Sequence, residues 1–484
     1  MSATMDRHPA PFRAKRLSQL TIHSEHKILS MKFNSLCMAC FVAAITLHGT
    51  VSAPAQDHLD WAQTPPMGWN SFDCFGAAVN EDEIRGNAEI MAAHLKDFGW
   101  QYVVVDYCWF YPHVAALNNP PQTEDFKPSL PMDTYGRLLP AVDRFPSATG
   151  DTGFKALGDH IHSLGLKFGI HVMRGIPREA VARKMPIKGT QYTADQVTDQ
   201  STCSWLNTMY GLDMDQPGAQ AYYDSLLELY ASWGVDYIKV DDIASPYCDK
   251  EIEGYRKAID RCGRQIVLSL SPGNETPTEM AEHVKANANL WRISSDFWDN
   301  WESLEAQFEK LHTWENFIGA GHWPDADMIP FGVLNRRGPQ DGLERVSRLT
   351  AAEQRTLMTL WCIARSPLMY GGDLMRMRPS ELKLLTNRDV LAVNQHSTNN
   401  RQLYRSSGQV VWVADVPDSN DKYIALFNTR DHGESTVGMR LADIKVKDNA
   451  TMRDLWNGQE MPLVNALYAT IEAHGAGLYR IHPE

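Results

Sequence analysis

The 484-residue sequence predicts an α/β protein, a (β/α)8 TIM barrel followed by a C-terminal antiparallel β-sandwich domain. From residue 66 to about 374, strand-like apolar runs alternate with helical patterns. Several runs are continuous in Val and Ile, as in strands that are buried on both faces. After about residue 395 the helical periodicity ends, and short strands separated by turn residues follow. We expect the barrel over residues 56–394 and the β domain over 395–484.

Eight runs supply the barrel strands, and helical segments connect them. The predicted strands are residues 67–72, 102–109, 167–173, 236–241, 266–272, 289–296, 322–329 and 368–373. Asn80 and Glu83 have the spacing of a capping box at the start of the first long helix. Repeated alternation of strand and helix is typical of a parallel barrel. A doubly wound open sheet would require a glycine-rich turn after an early strand, and the sequence contains no G-x-G-x-x-G.

The β domain is predicted from residues 410–416, 423–428, 451–456 and 478–481, which are short strands with turn residues between them. Asn457-Gly458 is one such turn. No helical period remains in this region, so a small antiparallel sandwich is expected.

The first 55 residues resemble a targeting segment rather than part of the fold. Met31 opens a short basic stretch, an apolar run covers residues 35–47, and small residues follow at 51–55. This pattern predicts a signal peptide that starts at Met31 and a secreted or periplasmic protein. The apolar run is too short to remain as a membrane span. The 30 residues before Met31 form an upstream extension.

Charge and composition limit the possible partners. The formal net charge of −13 argues against nucleic acid and anionic membranes as partners. The cysteine and histidine spacings contain no metal-binding pattern, so no metal is expected. The sequence does not indicate an oligomeric state.

Charged residues recur where the predicted strands end. They are Asp106, Lys239, Asp241, Arg292, Asp296, Asp325 and Asp327. The carboxyl ends of barrel strands converge on one site, so these side chains are candidates for the chemistry. Carboxylates without metal-binding His suit glycosidic bond cleavage, in which one attacks and the other protonates the leaving oxygen. Lys239 lies on the same side of its strand as Asp241 and can stabilise its carboxylate.

Seven segments, in order from about residue 64 to the C-terminus, resemble glycoside hydrolase family 27, the melibiase-type α-galactosidase family. They are residues 67–71 (MGWNS), 105–109 (VDYCW), 237–241 (YIKVD), 291–296 (WRISSD), 323–328 (WPDADM), 366–369 (SPLM) and 387–395 (NRDVLAVNQ).

The resemblance implies a role for each matching residue. Asp241 would be the nucleophile that forms a covalent glycosyl-enzyme, and Asp296 the general acid/base. The substrate-binding set would be Trp69 on the sugar face, Asp106 and Lys239 on ring hydroxyls, Arg292 near the 2-hydroxyl, Asp327 in support, and Tyr107 and His171. The family also carries a disulfide between the loops after its third and fourth strands, which implies that Cys203 pairs with Cys248. It implies no metal or organic cofactor.

Four departures from the family pattern bear on which sugar is bound. The family's galactosidases use two adjacent Asp residues for the 4- and 6-hydroxyls, and here the second is Tyr107. His171 replaces a Tyr on the third strand, and Pro272 replaces a polar residue near the 2-hydroxyl. A long insert, residues 174–212, follows the third strand and is expected to reshape the pocket wall.

The resemblance therefore favours a secreted retaining α-galactosidase, and it leaves two alternatives on the same scaffold. One is a β-L-arabinopyranosidase, whose sugar lacks the 6-hydroxymethyl group, and the other is an isomaltose-releasing α-glucanase. A non-catalytic carbohydrate-binding protein is a candidate of a different class, against which the presence of both Asp241 and Asp296 argues. A metal-dependent hydrolase using Asp241 and Asp242 would need His ligands that the sequence does not provide.

Overall fold

The computed structural model describes residues 57–114, 129–271, 275–337, 343–447 and 449–484. The predicted signal peptide and its upstream extension lie outside these residues. The eight expected barrel strands are confirmed. The third has the expected bounds, and each of the other seven is shorter at one or both ends than its apolar run. They are β1 Met67–Asn70, β2 Tyr102–Val105, β3 Lys167–Met173, β4 Tyr237–Asp241, β5 Val267–Leu270, β6 Leu290–Arg292, β7 Trp323–Asp325 and β8 Leu368–Tyr370.

The eight strands pair in parallel in the order β8-β1-β2-β3-β4-β5-β6-β7. Just beyond β7, Ile329 forms a parallel bridge with Tyr370 of β8. Its amide donates to the carbonyl of Met369 at 2.7 Å, and its carbonyl accepts from Gly371 at 3.0 Å. This bridge closes the sheet into the barrel that the sequence predicts.

In the described residues, nine helices of seven or more residues follow the strands and cover the outside of the ring. Eight of them are α1 Glu81–His94, α2 Lys155–Ser163, α3 Pro217–Ser232, α4 Asp249–Arg261, α5 Ala281–Asn287, α6 Trp301–Trp314, α7 Ala351–Ile363 and α8 Arg388–His396, and the ninth is Pro379–Leu385, just before α8. The capping box is confirmed, because Asn80 accepts from the Glu83 amide at 3.0 Å and Glu83 accepts from the Asn80 amide at 3.1 Å.

The alternation of side chains along each strand decides which residues point into the barrel. Tyr102 and Val104 of β2 pack inside the ring with Tyr237 of β4, whereas Val103 and Val105 pack outward against the helices. Side chains two residues apart share a face of a strand. The same alternation directs residues such as Lys239 and Asp241 to the inside, at the carboxyl ends of the strands where barrel enzymes hold their sites.

The C-terminal region is an antiparallel β sandwich. Its strands are β9 Thr398–Ser406, β10 Gln409–Asp415, β11 Lys422–Asn428, β12 Ser435–Arg440, β13 Asn449–Asp454, β14 Glu460–Val464, β15 Ala466–Ile471 and β16 Ala476–Pro483. Six of them form one sheet in the order β9-β10-β11-β16-β13-β14, and β12 pairs with β15 in a second sheet. Four of these strands, β10, β11, β13 and β16, are predicted by the sequence. The other four are not, because their residues are largely polar or half-exposed.

The larger sheet has two apolar faces, which explains why its central strands are so hydrophobic. Val411 and Val413 of β10 pack against the smaller sheet. Val410, Trp412 and Ala414 face the other way and join the core that includes the barrel helices. Within the described ranges, none of the helices combines the length and the apolar character needed to cross a bilayer.

Candidate active site

A small cavity lies at the carboxyl ends of the barrel strands. Its walls are formed by Phe72, Asp73, Asp106, Tyr107, Lys239, Asp241, Arg292, Asp296, Phe297, Trp298, Asp327 and Met328. Seven of the nine expected site residues are in this set. A larger open cleft of about 2210 Å³ lies between the loop of residues 315–320 and the β domain, and none of the expected residues lines it.

Asp241 ends β4 with both carboxylate oxygens in hydrogen bonds. Its Oδ1 accepts from the amide of Asp242 at 2.9 Å, and its Oδ2 lies 3.0 Å from Nε2 of His171 on β3. The next residue, Asp242, has a left-handed backbone with φ 58° and turns its carboxylate onto Arg174, 3.0 Å away. The carboxylate of Asp241 is thus held in a fixed orientation toward the cavity.

Lys239 and Asp106 form a buried ion pair beside Asp241. The Nζ atom of Lys239 lies 3.1 Å from Oδ2 of Asp106, which also accepts from the side-chain amide of Asn70 at 2.7 Å. Burial alone would raise the pKa of Asp106, but the positive charge of Lys239 brings it below its usual range. Burial would lower the pKa of Lys239, and the carboxylates around it raise it instead. Both groups are therefore charged at neutral pH, as polar anchors for hydroxyl groups should be.

Arg292 connects two carboxylates on the opposite side of the cavity. Its Nη2 atom lies 2.9 Å from Oδ2 of Asp327 and 3.3 Å from Oδ1 of Asp296. The side chain of Asp296 is 61% exposed, at the cavity mouth. Desolvation by the walls raises the pKa of Asp296, Asp327 and Asp241 raise it further, and Arg292 and Lys239 oppose them. A raised pKa suits a carboxyl group that must carry a proton.

Asp327 is held by an unusual backbone conformation after β7. Its φ of 82° is rare for a residue other than glycine, and such strain concentrates at functional sites. Its amide donates to Oδ1 of Asp325 at 2.9 Å, and its Oδ2 accepts from the amide of Phe297 at 2.8 Å. Burial raises the pKa of Asp325 to about 6. These bonds couple the loop that carries Asp296 to the end of β7.

Tyr107 forms an apolar wall of the cavity. Its ring packs against Phe72, His171 and Trp205, with centroids 5.9, 5.7 and 6.0 Å away. It is only 3% exposed. Its hydroxyl is buried without a hydrogen bond of good geometry, and the neighbouring group is the thiol of Cys108. Trp205 belongs to the insert of residues 174–212, so the insert does reinforce this wall.

Two expected residues lie elsewhere. Trp69 is fully buried, and its indole N–H donates to the carbonyl of Gly372 at 2.7 Å, so its ring does not line the cavity. The sugar-stacking role expected of Trp69 stays a prediction, and the aromatic residues that line the cavity are Phe72, Tyr107, Phe297 and Trp298. His171 contacts Asp241 from behind, but it is not part of the wall. Pro272 lies outside the described residues.

The sequence did not point to several wall residues, among them Asp73 and Trp298. Each lies two residues beyond a matching segment, in the short helix after β1 or the loop after β6. No strand periodicity extends that far. The only available signal was an acidic or aromatic residue close to the carboxyl end of a predicted strand.

The disulfide expected between Cys203 and Cys248 is absent, because the cysteines of the described residues are free thiols. The thiol of Cys203 hydrogen-bonds to the carboxylate of Asp242, whereas the Sγ atom of Cys248 lies 3.4 Å from the carbonyl oxygen of Pro246. Burial raises the pKa of both thiols to about 12. The insert gives these two loops other partners.

Models of known protein families match this chain in the barrel and in the β domain. Residues 207–396 match the model described as alpha galactosidase A, and residues 406–481 match the alpha galactosidase C-terminal beta sandwich domain. The α-galactosidase of Coffea arabica is 30% identical over 431 residues, covering 87% of this chain and 94% of that protein. The α-galactosidase of Cyamopsis tetragonoloba is 29% identical, covering 87% of each.

A solved structure is more similar still. The wild-type family 27 β-L-arabinopyranosidase of Geobacillus stearothermophilus is 48% identical, covers 88% of this chain and 98% of its own, and superimposes with a TM-score of 0.84. A variant of that enzyme in complex with arabinose gives a TM-score of 0.85. These matches, together with the barrel and sandwich, show that the chain belongs to glycoside hydrolase family 27 and is an O-glycosyl hydrolase of the α-galactosidase type.

Proposed function

We propose that this hydrolase is a retaining exo-glycosidase that removes terminal β-L-arabinopyranosyl residues. The observation that carries the proposal is Tyr107, whose buried ring stands where the family's galactosidases have an Asp for the 4- and 6-hydroxyls. The 48% identity to the Geobacillus stearothermophilus arabinopyranosidase supports it independently.

The chemistry of the two sugars explains why this one residue matters. β-L-Arabinopyranose has the ring stereochemistry of α-D-galactose and lacks the 6-hydroxymethyl group. A hydroxymethyl group against the Tyr107 ring would lose its hydrogen-bond acceptor and crowd an apolar surface. Losing such a contact costs about 1–3 kcal/mol of discrimination between substrates.

The proposed mechanism is double displacement on the two carboxylates. Asp241 attacks the anomeric carbon while Asp296 protonates the departing oxygen, and a covalent glycosyl-enzyme forms. Asp296, now ionised, then takes a proton from water, which attacks the anomeric carbon and releases the sugar with its original configuration. The presence of both carboxylates in the lining of one cavity supports these roles. So do the N–H donors that fix Asp241 and the raised pKa of Asp296.

The remaining charged groups are proposed to bind the glycone. The Lys239–Asp106 pair offers a donor and an acceptor to ring hydroxyls on the β2–β4 side of the cavity. Arg292 reaches the 2-hydroxyl from the β6 side, and Asp327 keeps Arg292 and the Asp296 loop in place.

A panel of nitrophenyl glycosides tests the substrate. We expect kcat/KM to be highest for the β-L-arabinopyranoside, lower for the α-D-galactoside, and lowest for the α-D-glucoside. Asp241→Asn should abolish turnover and preserve binding of L-arabinose. The matched control is Asp215→Asn, an exposed carboxylate paired with Lys250, which should leave both properties unchanged. Proton NMR measures the anomeric configuration of the first product. An inverted product would refute the assignment of Asp241 as nucleophile.

α-Galactosidase activity is the second candidate, and two observations favour it. The curated relatives at 29–30% identity carry that name, and the Asp106–Lys239 pair of the family motif is intact in this cavity. A kcat/KM for the galactoside equal to or above that for the arabinopyranoside would select it. In the same panel, the kcat/KM for the α-glucoside tests the isomaltose-releasing alternative.

We further propose that the protein is exported through the signal peptide that starts at Met31. The basic stretch, the apolar run of residues 35–47 and the small residues before 56 support this. Expression from the full gene in a bacterial host, followed by N-terminal sequencing of the exported protein, should give a start close to residue 54–56. Retention of the whole protein in the cytoplasm with residues 31–53 intact would contradict the proposal.

A further inference from the structure

Asp73 places a carboxyl group on the cavity wall that none of the proposed catalytic steps uses. It lies in the short helix Phe72–Phe75 that follows β1. Asn70 fixes the start of this turn by accepting from the amide of Phe72 at 2.9 Å. The main chain of the helix is held further by the amide of Asn335, which donates to the Asp73 carbonyl at 2.9 Å. These bonds fix the backbone from which the Asp73 side chain projects.

The carboxyl group itself has no partner. Asp73 is 3% exposed, and no hydrogen bond or ion pair reaches its side chain from the described residues. Its Oδ2 packs on Gly371, just after β8, where a Cβ atom would overlap the carboxyl group. An unpartnered buried carboxyl is costly, and native structures rarely keep one without a function. The side chain lines the cavity, where a ligand group could reach it.

The charges around Asp73 favour a neutral acid. Burial raises its pKa well above the usual value, the carboxylates of Asp327, Asp296 and Asp299 act in the same direction, and only Lys239 opposes them. A neutral carboxyl group can both donate and accept a hydrogen bond. A sugar hydroxyl needs that combination when it leaves water for a closed cavity.

We propose that Asp73 is a substrate-binding residue whose carboxyl group hydrogen-bonds a ring hydroxyl of the glycone. The inference rests on the proposed function, because it places the glycone in this cavity. Asp73 would add a contact from the helix that follows β1 to the contacts offered by Lys239, Asp106 and Arg292. It also explains why Gly371 is small, since a side chain there would displace the acid.

Deoxy substrates test the contact directly. The kcat/KM of the wild type and of Asp73→Ala is measured on nitrophenyl β-L-arabinopyranoside and on its 2-, 3- and 4-deoxy analogues. We expect the kcat/KM of Asp73→Ala on the parent glycoside to be about ten-fold below that of the wild type, as for the loss of one hydrogen bond in a binding site. On the analogue that lacks the contacted hydroxyl, the two proteins should differ by less than about two-fold. An equal loss on all four substrates, or no loss on any, would overturn the inference.

Two further variants separate binding from folding. Asp73→Asn keeps a donor and an acceptor in nearly the same shape, so it should retain kcat/KM within about three-fold. Cys74→Ala, the adjacent buried residue that does not line the cavity, is the matched control and should keep full activity. Because Asp73 has no partner, Asp73→Ala should not lower the melting temperature. A lowered melting temperature with a uniform activity loss would indicate a structural role instead.

The same design separates this inference from the proposed sugar. If the wild type prefers the α-galactoside, the proposed substrate fails, and the cycle is repeated with deoxygalactosides. If it cleaves neither glycoside, calorimetric titration with L-arabinose and D-galactose decides. Binding of either sugar weakened about ten-fold in Asp73→Ala supports the contact. Unchanged affinities, or no binding to either protein, overturn it.

Discussion

The Nε2 atom of His171 lies 3.0 Å from Oδ2 of Asp241, across two neighbouring parallel strands. The other ring nitrogen, Nδ1, is buried without a hydrogen-bond partner. A proton on Nδ1 would have no acceptor, whereas a proton on Nε2 has Asp241. The geometry therefore favours the tautomer in which His171 donates to the proposed nucleophile. His171 is a positioning residue, because it acts through Asp241.

Replacing His171 should impair the chemical step more than binding. In His171→Phe, Asp241 loses one of its N–H donors and becomes free to rotate, so kcat should fall by about 10- to 100-fold. The KM should stay within about three-fold, because His171 does not line the cavity. His171→Gln restores a donor and should recover part of kcat. Steady-state kinetics on the preferred glycoside measure both, and a change confined to KM would contradict the positioning role.

Removing the acid/base should produce an enzyme that small anions can rescue. Asp296→Ala leaves Asp241 able to attack a nitrophenyl glycoside, whose leaving group needs little protonation, but no base then activates water. We expect kcat to fall by about 10²- to 10⁴-fold. Azide should restore turnover and yield a glycosyl azide with retained configuration. Absence of rescue, or a response of the Asp215→Asn control to azide, would count against the role.

The pH dependence should respond to Asp327 in a defined direction. The carboxylate of Asp327 contributes to the raised pKa of Asp296, and it also shares Arg292 with it. In Asp327→Asn, the repulsion is lost and Arg292 can pair fully with Asp296, so both effects lower the pKa of Asp296. Activity that requires protonated Asp296 is lost as the pH rises through that pKa. The alkaline limb of kcat/KM should therefore move to lower pH, and a shift to higher pH would refute this arrangement.

Restoring the family's carboxylate should change the choice of sugar. Tyr107→Asp removes the aromatic wall against Phe72 and offers an acceptor for the 6-hydroxyl. We expect the ratio of kcat/KM for the α-galactoside over the arabinopyranoside to rise by about ten-fold or more. Tyr107→Phe is the matched control, because it keeps the ring and should preserve the wild-type ratio. An unchanged ratio in Tyr107→Asp would show that another residue sets the preference.

Much of the fold followed from the sequence because barrel strands buried on both faces are long apolar runs. The strand ends were less predictable. Residues 106–109 were expected to continue β2, but the strand ends at Val105, and Cys108 has a φ of 60° that no strand accommodates. The run through residue 329 likewise stops being a strand after Asp325, and Asp327 just beyond it has a φ of 82°. Positive φ values are set by tertiary contacts and leave no trace in hydrophobic periodicity.

The site was predictable where side chains alternate along strands and not where loops deliver them. Lys239 and Asp241 share a strand face, so their proximity follows from spacing alone. The position of Trp69 also follows from its strand. The placement of its ring depends on Gly372, 303 residues away, whose carbonyl accepts from the indole N–H. Asp73 and Trp298 depend on the path of short connections. The roles of all these residues stay predictions until the variants are measured.

The bridge between Ile329 and Tyr370 is the weakest junction between neighbouring strands of the described barrel. Two hydrogen bonds from one residue join β7 to β8 there, whereas β3 and β4 pair over five residues. Local opening of the sheet should begin at this weakest junction. Amide exchange at Ile329 and Gly371 would then precede exchange in β4, and the Asp327 and Gly371 sides of the cavity would loosen while the strand of Asp241 stays paired. On gentle heating, such a protein would lose catalysis before it lost its secondary structure.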